Sequence, residues 1–518
     1  MDLGFGNWVT VHASRYPSRP ALADHDGSRS LTYGDLEART NAVAASLSAK
    51  GIRRGDRVAM LTLNSIEMLE IYIACAKLGA IAVPVNFRLA PPEVEYVLRD
   101  SGAQLLFTSP ALVPVAEAAC TPETFVRERI VVPDAAMRAA GDGGGYAELL
   151  NGDPTRVVRD ITHDDVCVIM YTSGTTGRPK GAMLTHGNFQ WNAIHGLRFG
   201  SGVGYEDVCL TAAPLFHIGA LGVQTLPFLY AGASTVMMEA FEPGAWIAAA
   251  ERHRITMAFA VPAMWAAIAH HPSIDAADLG SLEFAITGGA PCPVPVIERL
   301  QSLGMAFTEG FGMTETSPNA CYLPQDDVVR KAGSIGKPVM HMDFRLVRDD
   351  GSEAAVGEVG ELVVRGPNVF VGYWDKPQAT AEAIREGWFH TGDLGKIDEE
   401  GFYTLVDRKK DMIISGGENI YPIEVEQAMV RHPDVNEVAV VGRPDEKWGE
   451  TVVAVVVRAE GSSLTAEDLI DWTRQQIAHF KSPRVVDFVD ALPRNATGKV
   501  LKREIRAKYT ESGTAVQR

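Results

Sequence analysis

At 518 residues, with 46% apolar and 22% charged side chains, the chain is long enough for about three domains with sizeable cores. Its 65 acidic residues against 48 basic ones leave a net charge of −17, which argues against nucleic acid or an anionic membrane as the main partner. Six scattered cysteines (Cys75, Cys120, Cys167, Cys209, Cys292 and Cys321) contain no Cys-x-x-Cys pair, so they read as thiols of a reducing compartment and not as a disulfide frame or zinc site.

The first eight residues lack the basic start and apolar core of a secretory signal. Residues 66–85 form the most apolar segment, but Glu67, Glu70, Lys77 and Pro84 interrupt it, so it is too polar to span a membrane and the cytoplasm is the expected location. Apolar runs at 57–61, 80–85 and 104–107 predict short strands, with helices between them at 65–77 and from Pro91 onward. The same alternation returns from Asp165 to about Thr314, the pattern of a layered α/β domain with a mainly parallel sheet. From Gly333 to about Leu405 the texture changes to short alternating strands, and Asp350-Gly351 is a hairpin signal, which predicts a small antiparallel, barrel-like subdomain. A separate region mixing helices and strands follows Asp411.

The most informative stretch is Thr172-Ser173-Gly174-Thr175-Thr176-Gly177-Arg178-Pro179-Lys180-Gly181, which follows the apolar run 166–171. Glycines let backbone N–H groups turn inward, hydroxyls add donors and Lys180 adds charge, a combination suited to cradling a triphosphate. It is not a Walker A loop, since that pattern fits in no register.

This loop resembles the phosphate-binding signature of the adenylate-forming superfamily of acyl-CoA synthetases, adenylation domains and luciferases. Matching segments recur in order from about Leu31 to Arg503, most like bacterial fatty-acyl-CoA and aryl-CoA ligases. The resemblance implies a two-step reaction: a carboxylic acid and ATP give an acyl-adenylate and pyrophosphate, then coenzyme A gives the thioester and AMP. By resemblance the chain divides into an ATP- and acid-binding domain at 1–409 and a mobile α+β domain at 410–518, hinged at Lys410. Gly288, Gly289 and Ala290 resemble the adenine-binding backbone. In Glu309-Gly310-Phe311-Gly312-Met313-Thr314-Glu315, Phe311 would stack on adenine, Thr314 would touch the α-phosphate and Glu315 would bind Mg²⁺, a cation that prefers hard oxygen ligands. The family usually has Tyr where Phe311 stands, so the ring face is kept and a phenol is lost. Asp393 would accept from the ribose hydroxyls with Arg408 beside it. Lys499, in Pro493-Arg-Asn-Ala-Thr-Gly-Lys499, would bridge the carboxylate and α-phosphate. After rotation about the hinge, Gly416, Gly417 and Trp448 would face coenzyme A, and His217 would gate the channel between acyl group and pantetheine. Relatives also allow a homodimer.

Two other classes compete with the CoA ligase. A stand-alone adenylation enzyme would pass its acyl group to a carrier protein, and a decayed binding protein would catalyse nothing. The second is disfavoured because Thr314, Glu315, Asp393, Arg408 and Lys499 are all present. The segments expected to line the acyl pocket, with Ile218, Gly219, Val261, Gly312 and Met313, hold no Lys or Arg, which disfavours a dicarboxylic acid. If 218–224 opens a helix, Gly219 and Gly222 share one face and leave a groove, which predicts a medium- or long-chain fatty acid. A hydroxycinnamate is the alternative, with Gln224 as the only obvious partner for a ring hydroxyl.

Overall fold

In the computed structural model, residues 2–155, 159–172, 179–409, 411–415, 418–445, 447–494 and 500–510 are described. They form two compact units, one of Met1–Asp343 with Val364–Phe389 and the other of Phe344–Val363 with His390–Arg518.

The first unit holds two sheets. A six-stranded sheet runs in the order Glu128–Val131, Leu105–Thr108, Arg57–Leu61, Ile81–Pro84, Val166–Thr172, Lys180–Thr185, all parallel except the last. In the second, Ala306–Gly312, Phe284–Gly288, Met257–Ala260, Val208–Thr211, Ser234–Met237 and Pro20–Asp24 are neighbours in parallel, with antiparallel Asn319–Leu323 outside Ala306–Gly312. The expected parallel α/β layering is present.

Helix Ile66–Leu78 is buried along its whole length, charged residues included. It is tolerated there because each charge has a partner. Arg29 grips Glu67 at 2.5 and 3.2 Å, Arg39 and Tyr146 hold Glu70, and Lys77 donates to Glu37 at 2.6 Å. Among the described residues no helix is long and apolar enough to cross a membrane.

In the second unit, strands Asp343–Val347, Gly360–Arg365, Trp388–Ile397 and Tyr403–Arg408 are successive neighbours. The Asp350-Gly351 hairpin forms as expected: Arg348 N donates to Ser352 O at 2.8 Å, and Gly351 has φ +83°, which favours glycine. A five-stranded sheet follows, built on the antiparallel pair Val435–Asp445 and Gly449–Arg458. Side chains alternate across it with period two. Val440, Val452, Ala454 and Val456 face helices Pro422–Met429 and Ala466–Gln476, while Val441, Val453 and Val455 pack with Ile505 of helix Lys502–Thr510.

Candidate active site

In open parallel sheets, ligands gather beyond the carboxyl ends of the strands. The predicted site residues of the first unit follow that rule. His217, Val261, Gly289 and Met313 follow the carboxyl ends of Val208–Thr211, Met257–Ala260, Phe284–Gly288 and Ala306–Gly312.

Ser173, Gly174, Thr175, Thr176, Gly177 and Arg178 lie outside the described residues, but both shoulders of their loop are visible. Val166–Thr172 and Lys180–Thr185 pair antiparallel, with Thr172 opposite Lys180. Helix Pro91–Ser101 braces both shoulders. Tyr171 Oη donates to Asp100 Oδ2 at 2.8 Å, Tyr96 Oη donates to the Pro179 carbonyl at 3.1 Å, and Lys376 Nζ donates to Asp100 Oδ1 at 2.8 Å. Lys180 Nζ stands 5.1 Å above the Tyr373 ring. Tyr96, Asp100 and Tyr373 were not singled out from the sequence, which offers no local signal for them.

The two segments expected to hold adenine are brought side by side, with Gly288 opposite Gly310 and Thr287 opposite Glu309. A Cβ at Gly288 would stand 2.9 Å from Gly310 O. Gly289 has φ +85° and nothing within 4 Å of where a Cβ would sit, and Ala290 beside it is exposed. Glu309 is buried and accepts from Cys292 N at 2.7 Å. Burial raises its pKa to about 7, against the smaller lowering effect of that hydrogen bond. Phe311 sits partly exposed on the same strand.

Thr314–Thr316 make a single 3₁₀ turn, with Thr314 partly exposed and Glu315 buried. Glu315 Oε1 accepts from Tyr373 Oη at 3.0 Å. A carboxylate with a threonine hydroxyl next to it is a hard oxygen donor set, so these residues fit Mg²⁺. Gly312 admits no side chain, because a Cβ would stand 1.7 Å from Pro318 O.

His217 is exposed, and its Nδ1 accepts from Gly219 N at 3.2 Å, so it is not a buried core histidine. The segment expected to line the acyl pocket departs from the helix predicted for it. Gly219–Thr225 is a π-helix, buried throughout, with Ile218 buried at its N-cap. Its wider turn removes the premise that glycines three apart share a face. Both glycines are also covered. A Cβ at Gly219 would stand 3.0 Å from Phe259 Cζ, and one at Gly222 would stand 2.4 Å from Pro318 Cδ. The groove expected from these glycines is filled. Gln224 is committed as well: Nε2 donates to Leu210 O and Thr211 Oγ1, while Oε1 accepts from Phe259 N at 2.7 Å.

In the second unit, Asp393 and Arg408 are register partners on antiparallel strands, joined through Arg408 Nε and Asp393 Oδ1 at 2.5 Å. Gly392 before Asp393 has φ +71°. Trp448 is partly exposed, with the Arg484 guanidinium 4.3 Å above its ring and Lys447 Nζ at 4.9 Å. Arg484 is a further basic group that sequence reading passed over. Lys410, Gly416, Gly417 and Lys499 lie outside the described residues.

Residues 9–374 match the AMP-binding enzyme family, and residues 424–499 match the AMP-binding enzyme C-terminal domain. The chain belongs to the AMP-binding enzyme family. It is 44% identical to a feruloyl-CoA synthase from Amycolatopsis over 507 residues, covering 98% of this chain and 99% of that one. It is 41% identical to an indoleacetate–CoA ligase of Aromatoleum aromaticum, covering 96% and 97%. A solved fatty acyl-CoA synthetase of Mycobacterium tuberculosis superposes with TM-score 0.80 at 35% identity, covering 99% and 100%. This AMP-binding enzyme is an acid–thiol ligase of the AMP-forming class.

Proposed function

We propose that this AMP-forming acid–CoA ligase activates an aromatic carboxylic acid with a short side chain, such as a hydroxycinnamate or an arylacetate. The observation that carries this reading is the Phe259 ring against Gly219, beside the Gly222–Pro318 contact. Together they replace a long groove with close walls, which suit a flat ring better than a flexible chain. The whole-length similarity to feruloyl-CoA synthase and indoleacetate–CoA ligase supports it. Because Gln224 is already hydrogen-bonded on both sides of its amide, no ring hydroxyl is required, and unsubstituted cinnamate should be accepted.

In this reading the acid's carboxylate attacks the α-phosphorus of ATP, pyrophosphate leaves, and the thiol of coenzyme A then displaces AMP from the acyl carbon. The loop from Thr172 to Lys180 cradles the β- and γ-phosphates, and Lys499 bridges the carboxylate and α-phosphate where charge develops. Gly288 to Ala290 and Phe311 hold adenine, Thr314 touches the α-phosphate, and Asp393 with Arg408 holds ribose. Mg²⁺, when bound at Glu315, supplies positive charge to phosphate oxygens. Rotation about Lys410, at the boundary of domains 1–409 and 410–518, exchanges Lys499 for the face carrying Gly416, Gly417 and Trp448. His217, exposed at the mouth of the acyl segment, gates the passage to the thiol. Coenzyme A is the acceptor in this reading, and the six free cysteines support a reducing, cytoplasmic setting.

Pyrophosphate release measured with cinnamate, ferulate, indole-3-acetate and straight-chain acids, with and without coenzyme A, tests the reading. The highest kcat/KM should fall on an aromatic acid, with turnover dependent on coenzyme A. Efficiency that climbs steadily to dodecanoate would favour the fatty-acid reading, which the likeness to the fatty acyl-CoA synthetase structure keeps in view.

A further inference from the structure

The segment from Phe370 to Trp374 is stitched to two parts of the site at once. Phe370 N donates to Glu315 O at 2.9 Å, Met183 N donates to Gly372 O at 2.9 Å, and Trp374 N donates to Gly181 O at 2.8 Å. The strand leaving the phosphate loop and the turn bearing Glu315 therefore share one neighbour. Tyr373 stands at the junction. Its Oη donates to Glu315 Oε1 at 3.0 Å while its ring lies 5.1 Å beneath Lys180 Nζ. The ring itself is held, since Phe370 packs edge-on at 4.9 Å and Tyr373 N donates to Thr380 Oγ1 at 2.9 Å.

We propose that Tyr373 is a positioning residue for adenylation, aiming the Glu315 carboxylate through its hydroxyl and the Lys180 ammonium through its ring. A carboxylate held through one oxygen has its orientation fixed, and a hydrogen bond to a charged group is among the stronger ones. An ammonium over a phenol ring is held by the ring quadrupole without being neutralised, so it keeps its charge for a phosphate. The residue works through Glu315 and Lys180 and touches no reacting atom. The inference rests on Glu315 being the carboxylate that meets the metal.

The test is metal binding, read by electron paramagnetic resonance of Mn²⁺ with a non-hydrolysable ATP analogue. Tyr373→Phe keeps the ring and removes the hydroxyl. It should weaken Mn²⁺ binding about tenfold, the weight of one hydrogen bond to a charged group, while analogue affinity at saturating Mn²⁺ stays unchanged. Tyr373→Leu removes the ring too and should also weaken the analogue several-fold. Glu315→Gln, measured in parallel, separates the two layers of the argument. If it loses Mn²⁺ while Tyr373→Phe binds as the parent does, the positioning role is overturned and Glu315 keeps its own. If Glu315→Gln binds Mn²⁺ normally, the metal reading of Glu315 falls and the proposal falls with it. Equal loss of analogue affinity in Phe and Leu variants at saturating Mn²⁺ would mark Tyr373 as merely structural and overturn the proposal.

Discussion

Phe259→Ala should lengthen the acid this enzyme accepts. The ring is 5% exposed, would stand 3.0 and 3.1 Å from a Cβ at Gly219, and reaches to 3.6 Å of one at Gly288. It therefore spans from Gly219 to the strand carrying Gly288, and His217 Nδ1, 3.3 Å from the same Cβ position, is its neighbour over Gly219. Truncation of a buried Phe costs about 3–5 kcal/mol of stability, and the lower end applies where the new space opens toward bound substrate. The compensating gain is methylene burial. Each extra methylene that fits contributes about 0.8 kcal/mol, close to a factor of four in kcat/KM. Pyrophosphate release should therefore rise by about that factor per carbon beyond hexanoate in the variant, until the enlarged space ends, while the parent stays flat. The ratio of octanoate to cinnamate efficiency is the quantity to follow, since it cancels losses common to both acids. If that ratio is the same in parent and variant, with the KM for ATP unchanged, Phe259 is not the wall of the acyl site.

Two further outcomes follow from the geometry, and a third from the proposed role of Lys499. Glu309 has its folded pKa raised by burial to about 7 from the ordinary 4.5, so folding is penalised increasingly as pH climbs from about 4.5 to 7, by about 3 kcal/mol at the top, and Glu309→Gln should flatten that decline in Tm. An unchanged Tm–pH slope in the variant would show that Glu309 ionises freely. Gly312→Ala places a Cβ 1.7 Å from a backbone oxygen, which the turn at Pro318 cannot absorb, so soluble yield or Tm should fall sharply; a Tm within a degree or two of the parent would mean that the turn moves. Lys499→Ala should abolish acid-dependent ATP–pyrophosphate exchange, by about 3 kcal/mol or more, and leave thioester formation from supplied acyl-AMP largely intact; near-normal exchange would remove Lys499 from the adenylation step.

Much of the scaffold was legible because it depends on neighbours in sequence. The buried run before the glycine-rich loop is the strand Val166–Thr172, and Asp350-Gly351 does turn a hairpin, because both signals are local. Glycine patterns at 288–290 and 309–315 located segments that pair in register. The acyl segment was misread for two physical reasons. Apolar and small residues at 219–225 do not distinguish an α-helix from a π-helix, and the ring that fills Gly219 comes from a strand 40 positions away. Gln224 looked like a ligand partner, yet its amide ties the π-helix to neighbouring strands, a role visible only once the sheet is assembled. Tyr373 was missed for the same cause, since its partner Glu315 lies 58 residues earlier. The charges of Ile66–Leu78 stood out in the sequence only as breaks in an apolar run, and their burial is explained once Arg29, Glu37 and Arg39 arrive from another part of the chain.

The central claim is the proposal that the close contacts of Phe259 with Gly219 and of Pro318 with Gly222 select an aromatic acid. The most direct measurement is a competition in one vessel: equal concentrations of ferulate, indole-3-acetate and dodecanoate with ATP, Mg²⁺ and limiting coenzyme A, and the thioesters quantified by mass spectrometry. The account predicts that an aromatic acyl-CoA dominates the products at early times. Dominance of dodecanoyl-CoA would contradict it.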